Sequence, residues 1–320
     1  MSLDRASEAS RSGGERAALW ERLAWVPFAA LVGSVLYLGS RPGGTGPIFV
    51  YMTGRLLIGL LSFVLFAWGL VASARRRPFL QGHRLRALAL VVLVLLVSNY
   101  PLPYPSSREG RPSRVEFELP VEGEWVVLWG GEGKDENRLA AFYPGQRWGM
   151  HLVREVDGLT HLGDGERGEL HHCHGEQVLA PAGGVVVRAV NGIADDDTFS
   201  ASSEVFGNHL VVEVAEGEFL FLTQLLADSL IPKLGDRVEQ GEVVARVGAS
   251  GYSPVSPMPH LGLHLQTSPI PRKGEGIPWS FHNYRVAGGL VDKGLPTGGV
   301  GREGALLGAR VSPAGSLRDN

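Results

Sequence analysis

The stretch His260-Leu261-Gly262-Leu263-His264-Leu265-Gln266 alternates apolar and non-apolar residues without a break. Successive side chains on a β-strand point to opposite faces. The three leucines therefore share one face, while His260, Gly262, His264 and Gln266 share the other. A helical period of 3.6 would scatter those leucines around the axis. The leucine face predicts core. The opposite face presents two imidazoles and a gap, to a cleft or to solvent.

Outward from this strand the pattern repeats. WVVLW (125–129), RWGMHLV (147–153), GVVVRAV (184–190), NHLVVEV (208–214), EFLFLTQ (218–224) and VVARV (243–247) are short, rich in β-formers and divided by glycines. No amphipathic helix of useful length lies among them, so residues 125–285 predict an antiparallel, all-β domain, a barrel or sandwich. Before it, Pro101 to Pro112 is rich in Pro, Ser, Arg and Gly, which predicts an extended tether over 105–124. After it, residues 286–320 hold nine glycines and no strong apolar run, which predicts a flexible tail. The single cysteine, Cys173, excludes an internal disulfide.

Six pieces of this region stand in a telling series: Ala180-Pro181-Ala182-Gly183-Gly184, Gly207-Asn208-His209, Gly235-Asp236-Arg237-Val238, Gly241-Glu242-Val243-Val244, Gly248-Ala249-Ser250-Gly251 and Pro259-His260-Leu261. In order and spacing the series resembles the lysostaphin-like family of peptidoglycan zinc endopeptidases. A Gly-Asp-x-Val turn also occurs in lipoyl and biotin carriers, but none of Lys134, Lys233, Lys273 and Lys293 sits in a carrier-type hairpin. The resemblance implies an antiparallel sheet of the duplicated hybrid type. It also implies a zinc held by three protein ligands, whose bound water attacks a peptide carbonyl.

Carried over residue by residue, the implied site is stripped. Gln146-Arg147-Trp148-Gly149-Met150-His151 resembles the family's Gln-Arg-Tyr-Ala-x-Asp, so the Asp ligand position holds His151. The partner His position, near Asn137, offers Arg138 and Leu139, and a guanidinium cannot ligate a cation. Gln224 stands at the catalytic His of the Tyr-x-His-Leu context. In the late His-x-His pair, His260 keeps the catalytic position and Gly262 replaces the third ligand. The resemblance therefore implies a degenerate member, without zinc or any other cofactor.

A remodelled metal site from His151, His260 and His264 is the alternative. Four residues along a strand span about 13 Å at ~3.3 Å each, whereas zinc holds nitrogen at about 2.0–2.1 Å. Sharing one ion would require a sharp bend at Gly262. His171, His172, Cys173 and His174 also invite a metal reading, yet neighbours on an extended segment face opposite ways, and a polar edge segment is the plainer reading. His161, His209 and His282 read as structural or surface histidines, and Trp125, Trp129 and Trp148 as core.

The first hundred residues are a different object. They carry 11 Arg, no Lys and 4 acids, whereas residues 101–320 carry 19 basic and 29 acidic residues. The acidic part argues against nucleic acid as a partner. Trp25–Gly39, Leu56–Ser73 and Ala87–Tyr100 are apolar runs that predict about three transmembrane helices in a membrane domain over 1–104. The first contains Pro27 and could be re-entrant; without a clear cleavage site it reads as uncleaved. Arg75, Arg76, Arg77, Arg84 and Arg86 between the second and third runs predict a cytoplasmic loop. Arg5, Arg11, Arg16 and Arg22 then agree with a cytoplasmic N-terminus, and everything after residue 105 lies outside the cytoplasmic (inner) membrane. The expected function is a membrane-anchored, cell-wall-facing, non-catalytic domain that binds peptidoglycan peptides or a wall hydrolase. An active remodelled peptidase is one alternative. A periplasmic adaptor of a membrane transport assembly is the other.

Overall fold

A computed structural model describes residues 19–40, 43–75, 82–100, 104–132, 137, 143–163, 168–195, 204, 206–251, 258–299 and 306–315. Arg138 and Leu139, and all of the predicted cytoplasmic arginines except Arg22, Arg75, Arg84 and Arg86, lie outside them. The chain divides into two compact units, one of residues 1–42 and 49–101, the other of 43–48 and 102–320.

The first unit is helical. The helical elements in chain order are α1 (Leu19–Leu23), α2 (Trp25–Ser40), α3 (Thr45–Phe49), whose residues up to Ile48 are grouped with the second unit, a π-helical turn (Val50–Gly54), α4 (Arg55–Ala74) and α5 (Gly82–Asn99). Among the described residues three spans are long and apolar enough to cross a membrane: Leu19–Ser40, Thr45–Ala74 and Gly82–Asn99. Pro27 does not break the first, because it falls in the opening turn of α2 where its missing N–H has no helical partner to lose. The second starts upstream of the predicted Leu56, because the π-turn carries the helix through Gly54. The helices pack through Trp20, Ala24, Leu65, Leu88 and Val91. Gly69 makes this possible, since a Cβ there would sit 2.8 Å from the Trp20 ring. Arg55 donates from Nε to the Ser98 carbonyl at 3.2 Å and lies over the Tyr51 ring. A cation thus meets the carbonyl-rich end of α5, the favourable pole of the helix dipole.

Among the described residues the second unit forms a ten-stranded antiparallel sheet plus a two-stranded ladder. The strands are β1 (Trp125–Trp129), β2 (Met150–Val153), β3 (Gln177–Leu179), β4 (Gly184–Val190), β5 (Asn208–Ala215), β6 (Glu218–Leu225), β7 (Arg237–Val238), β8 (Val243–Arg246), β9 (Leu261–Gln266), β10 (Phe281–Val286), β11 (Gly289–Gly294) and β12 (Arg310–Pro313). The large sheet runs β11-β10-β12-β1-β2-β9-β6-β5-β4-β7, and β3 pairs with β8. Helices followed by a large antiparallel all-β unit is the predicted fold class.

As the alternation requires, Leu261, Leu263 and Leu265 enter the main core with Leu220, Leu222, Leu210, Met150 and Leu152. Each buried large aliphatic contributes about 1.5–3 kcal/mol, and this face holds most of them.

The six motif pieces knit the sheet to its loops. Asn208 is fully buried; its Oδ1 accepts from the Ile193 N–H, and its Nδ2 donates to the Ile193 and Leu225 carbonyls. Ser250 Oγ accepts from the Asn208 N–H and donates to the Leu225 carbonyl. Gly207, at φ 58°, passes so close to the Ser250 carbonyl that any Cβ would overlap it. The Gly-Asn-His and Gly-Ala-Ser-Gly signatures are therefore two halves of one joint.

Two expectations need correction. The segment expected as a flexible tail contains β11 and β12. Gly288 and Gly289 serve a tight β10–β11 hairpin, whose loop residues Ala287 and Gly288 both have positive φ (48° and 83°), the conformation that two-residue hairpin turns demand. β12 lies between β10 and β1. The expected tether is also no free linker: Tyr104 donates to buried Glu275 at 2.6 Å, Ser106 to the Gly276 carbonyl, and Phe117, Leu119 and Val121 belong to the core. Its prolines and serines masked an apolar period of two, read across Phe117, Leu119 and Val121.

Candidate functional site

The second face of β9 is where the chemistry was expected. Pairing sets a row across three strands: His151 of β2 opposite Gly262 of β9, and Gly262 opposite Thr223 of β6. His260 lies two residues before Gly262 on the same face, and its ring centroid is 5.0 Å from that of His151 with the planes 49° apart. The structure thus brings together His151, Gly262 and His260.

This face is not an open cleft. His151, His260 and His264 are 5%, 1% and 2% exposed, so they must be neutral to be tolerated there. Burial holds the His151 imidazolium pKa well below its ordinary value, with His260 and His264 adding to the effect. Burial brings His260 down to about 4, against a raising hydrogen bond to the Met258 carbonyl. It brings His264 down to about 3. His260 Nδ1 lies 2.7 Å from the Met258 carbonyl, which fixes the proton on Nδ1.

His264 does not join the other two. It pairs in register with Phe221, and its ring stacks there at 4.7 Å and 15°, with Phe206 at 5.2 Å. Gln224 sits at the end of β6 with φ 64°, where its backbone donates to Phe206 and accepts from Gly248. That left-handed residue breaks the strand's alternation one position after Thr223.

Of the inherited ligand positions that are described, His151 alone offers a donor, and the fit to zinc fails for want of partners. Gly262 has no donor atom, and its missing side chain leaves no vacancy. A Cβ there would overlap Thr223 Oγ1, which donates to the Gly262 carbonyl at 3.1 Å, and would sit 3.4 Å from the His151 ring. Asn137, near the expected early ligand, is fully buried and donates to the Gly149 carbonyl at 2.9 Å, which holds the loop ahead of β2. Among the described residues no group of three or more His, Cys, Asp or Glu side chains is placed to hold a metal ion. His151 Nδ1 has no hydrogen-bond partner among them, so it is one imidazole with a lone valence rather than part of a cage.

The histidine-rich segment 171–174 folds into a turn rather than the expected extended edge, which sends its side chains to separate places. His171 faces His161 at 5.5 Å. Cys173 is buried, points Sγ at the Pro259 carbonyl, and has its thiol pushed up to about 12 by desolvation, which makes it inert. His174 Nε2 lies 2.8 Å from Asp195. His209 is structural, between the Gly207 carbonyl and the Arg188 guanidinium.

The sequence reading missed Thr223: the period of two along Phe221 and Thr223 gives its face, but only the β6–β9 register puts it beside Gly262. It also missed the aromatic seat of Phe206 and Phe221, which needs the β5–β6–β9 register.

These buried neutral imidazoles carry a pH prediction. Unfolded, each takes a proton near its ordinary value of about 6.5; folded, His260 resists until about 4 and His264 until about 3, and His151 is held well below its ordinary value. Their contribution is complete above 6.5 and is lost as pH falls toward 4 and 3. Each pH unit in that window costs about 1.4 kcal/mol per histidine, or about 3 kcal/mol for His260. Urea midpoints should therefore fall steeply between pH 6.5 and 4, and His264→Phe, which keeps the ring stack, should flatten the slope. An unchanged slope in that variant would remove His264 from the account.

No family model matches the chain, and no curated protein matches it in sequence. Solved structures do match in part. A zinc-containing peptidase from Vibrio cholerae aligns at 18% identity and a TM-score of 0.31, covering 52% of this chain and 41% of that one. The catalytic domain of the antimicrobial peptidase lysostaphin from Staphylococcus simulans aligns at 15% and 0.29, covering 48% and 88%. A chain of the complex of SpoIIIAH and SpoIIQ aligns at 20% and 0.32, covering 50% and 96%. The chain spans less than half the length of the Vibrio cholerae and Pseudomonas aeruginosa chains that it matches.

Proposed function

We propose that the protein is a membrane-anchored, non-catalytic relative of the lysostaphin-like zinc endopeptidases, facing the cell wall and binding peptidoglycan peptides or a wall hydrolase. The observation that carries this reading is the His151–Gly262–Thr223 row: the third ligand position has no side chain, and a threonine hydroxyl has closed over the space. One imidazole cannot hold zinc against water. Without a metal-bound hydroxide, His260 has no nucleophile to orient, and its ring is committed to the Met258 carbonyl. The six structural motif pieces support a common fold with the family, and the altered positions are those on which its chemistry depends. The apolar spans support the anchor, with the C-terminal unit outside the cytoplasmic membrane.

The full chain, purified in detergent, incubated with zinc and dialysed, should retain well under one zinc per chain and release no peptide from peptidoglycan. His260→Ala should leave any peptidoglycan retention within twofold. One zinc per chain, lost together with hydrolysis in His151→Ala, would establish the remodelled peptidase instead.

A further inference from the structure

The helical unit contains a cavity of about 610 Å³ lined by Glu21 and Trp25 on one side and His83, Arg86, Leu90 and Leu93 on the other. Most of its lining is apolar, but one end is charged. Glu21 is 94% buried by its 6% exposure, and neither carboxylate oxygen accepts a hydrogen bond among the described residues. His83 Nε2 and Arg84 Nε stand at 3.6 Å and 3.8 Å, near enough for charge but not for a hydrogen bond. Arg86 is exposed and makes no ion pair among the described residues.

A buried carboxylate without donors is costly, and this one lines a space. We infer that the cavity binds a phospholipid of the phosphatidylethanolamine class: the ammonium donates to Glu21, the phosphate meets Arg86 and His83, and an acyl chain lies along Leu90, Leu93 and the Trp25 ring. The placement along the chain agrees. Glu21 and His83 each lie at the start of an apolar span, Leu19–Ser40 and Gly82–Asn99. Three consecutive crossings put both starts on one membrane face, at headgroup depth, where tryptophan and arginine are also favoured. A zwitterionic head fits better than an anionic one, because the site offers an acceptor as well as cations.

The inference rests on the membrane reading of these helices, so carbonate extraction of membranes comes first: a chain released into the supernatant would sink that reading independently. The full chain, purified in detergent, is then mixed with phosphatidylethanolamine, phosphatidylcholine or phosphatidylglycerol, and bound lipid is counted by native mass spectrometry. Phosphatidylcholine has the same net charge but no N–H donors; phosphatidylglycerol has hydroxyls but no cation. Phosphatidylethanolamine should exceed both at least tenfold, and Glu21→Gln should abolish that preference. Ala89→Trp, which fills the cavity from an exposed position, should lower retention about tenfold even if Glu21→Gln fails to fold. Equal retention of the three lipids, or retention unchanged in Ala89→Trp, means only a non-specific lipid annulus and overturns the proposal.

Discussion

Leu263→Asp leaves the sheet unit without a cooperative unfolding transition. Leu263 is 1% exposed and stands mid-strand on β9, paired with Met150 on one side and Leu222 on the other. Truncating a leucine in such a site costs about 2–5 kcal/mol. The new carboxylate has no donor on a face built of leucine, valine and methionine, so it must also be buried charged or take up a proton, at a further few kcal/mol. The total rivals the whole stability of a typical domain, about 5–15 kcal/mol. Leu263→Met, which conserves volume, should cost under about 1.5 kcal/mol. Near-ultraviolet circular dichroism and a thermal melt of the two variants decide the matter: a native-like melt for Leu263→Asp would mean that the leucine face is not the core.

Gly262→His does not restore a zinc site. The substitution puts back the side chain that the family resemblance asks for, so a site lacking one ligand alone would gain metal. Here the new Cβ meets Thr223 Oγ1, and overpacking of this kind typically costs about 1–3 kcal/mol. The hydroxyl must turn away and lose its bond to the Gly262 carbonyl. Gly262→His should therefore be less stable by about 2 kcal/mol, with zinc still well under one per chain. Adding Thr223→Ala removes the clashing oxygen and should recover about half the loss, so the pair is non-additive, as touching residues are. Stoichiometric zinc in the single variant would show that the site needed only one ligand, and would end the non-catalytic reading.

What the sequence made legible followed from short-range rules. The period of two on β9 placed all three leucines and both histidines on their correct faces, because a strand fixes side-chain direction locally. Gly262 stood out against two imidazoles for the same reason. What stayed hidden depends on pairing across distance. That Thr223 fills the space beside Gly262, or that His264 stacks on Phe221, requires the β6–β9 register, which no local pattern specifies. The glycines after residue 286 misled because glycine marks both a flexible chain and a tight hairpin; the loop Ala287-Gly288 belongs to the second. The turn at His171–His174 was read as extended, and only the fold shows the His171, Cys173 and His174 side chains sent to three different surroundings.

β12 joins two parts of the large sheet, lying between β10 and β1. It pairs with Trp125 and Val126 of β1, about 185 residues earlier, and separates β1 from β10. Until Arg310–Pro313 has been synthesised and, in an exported unit, translocated, β1 has an open edge that can pair with other chains. Completion of the sheet therefore waits for a strand about 185 residues after β1, as high contact order implies. A stop codon shortly before residue 310 would leave a sheet with a gap in its middle, a substrate for proteases and aggregation rather than a slightly shorter domain.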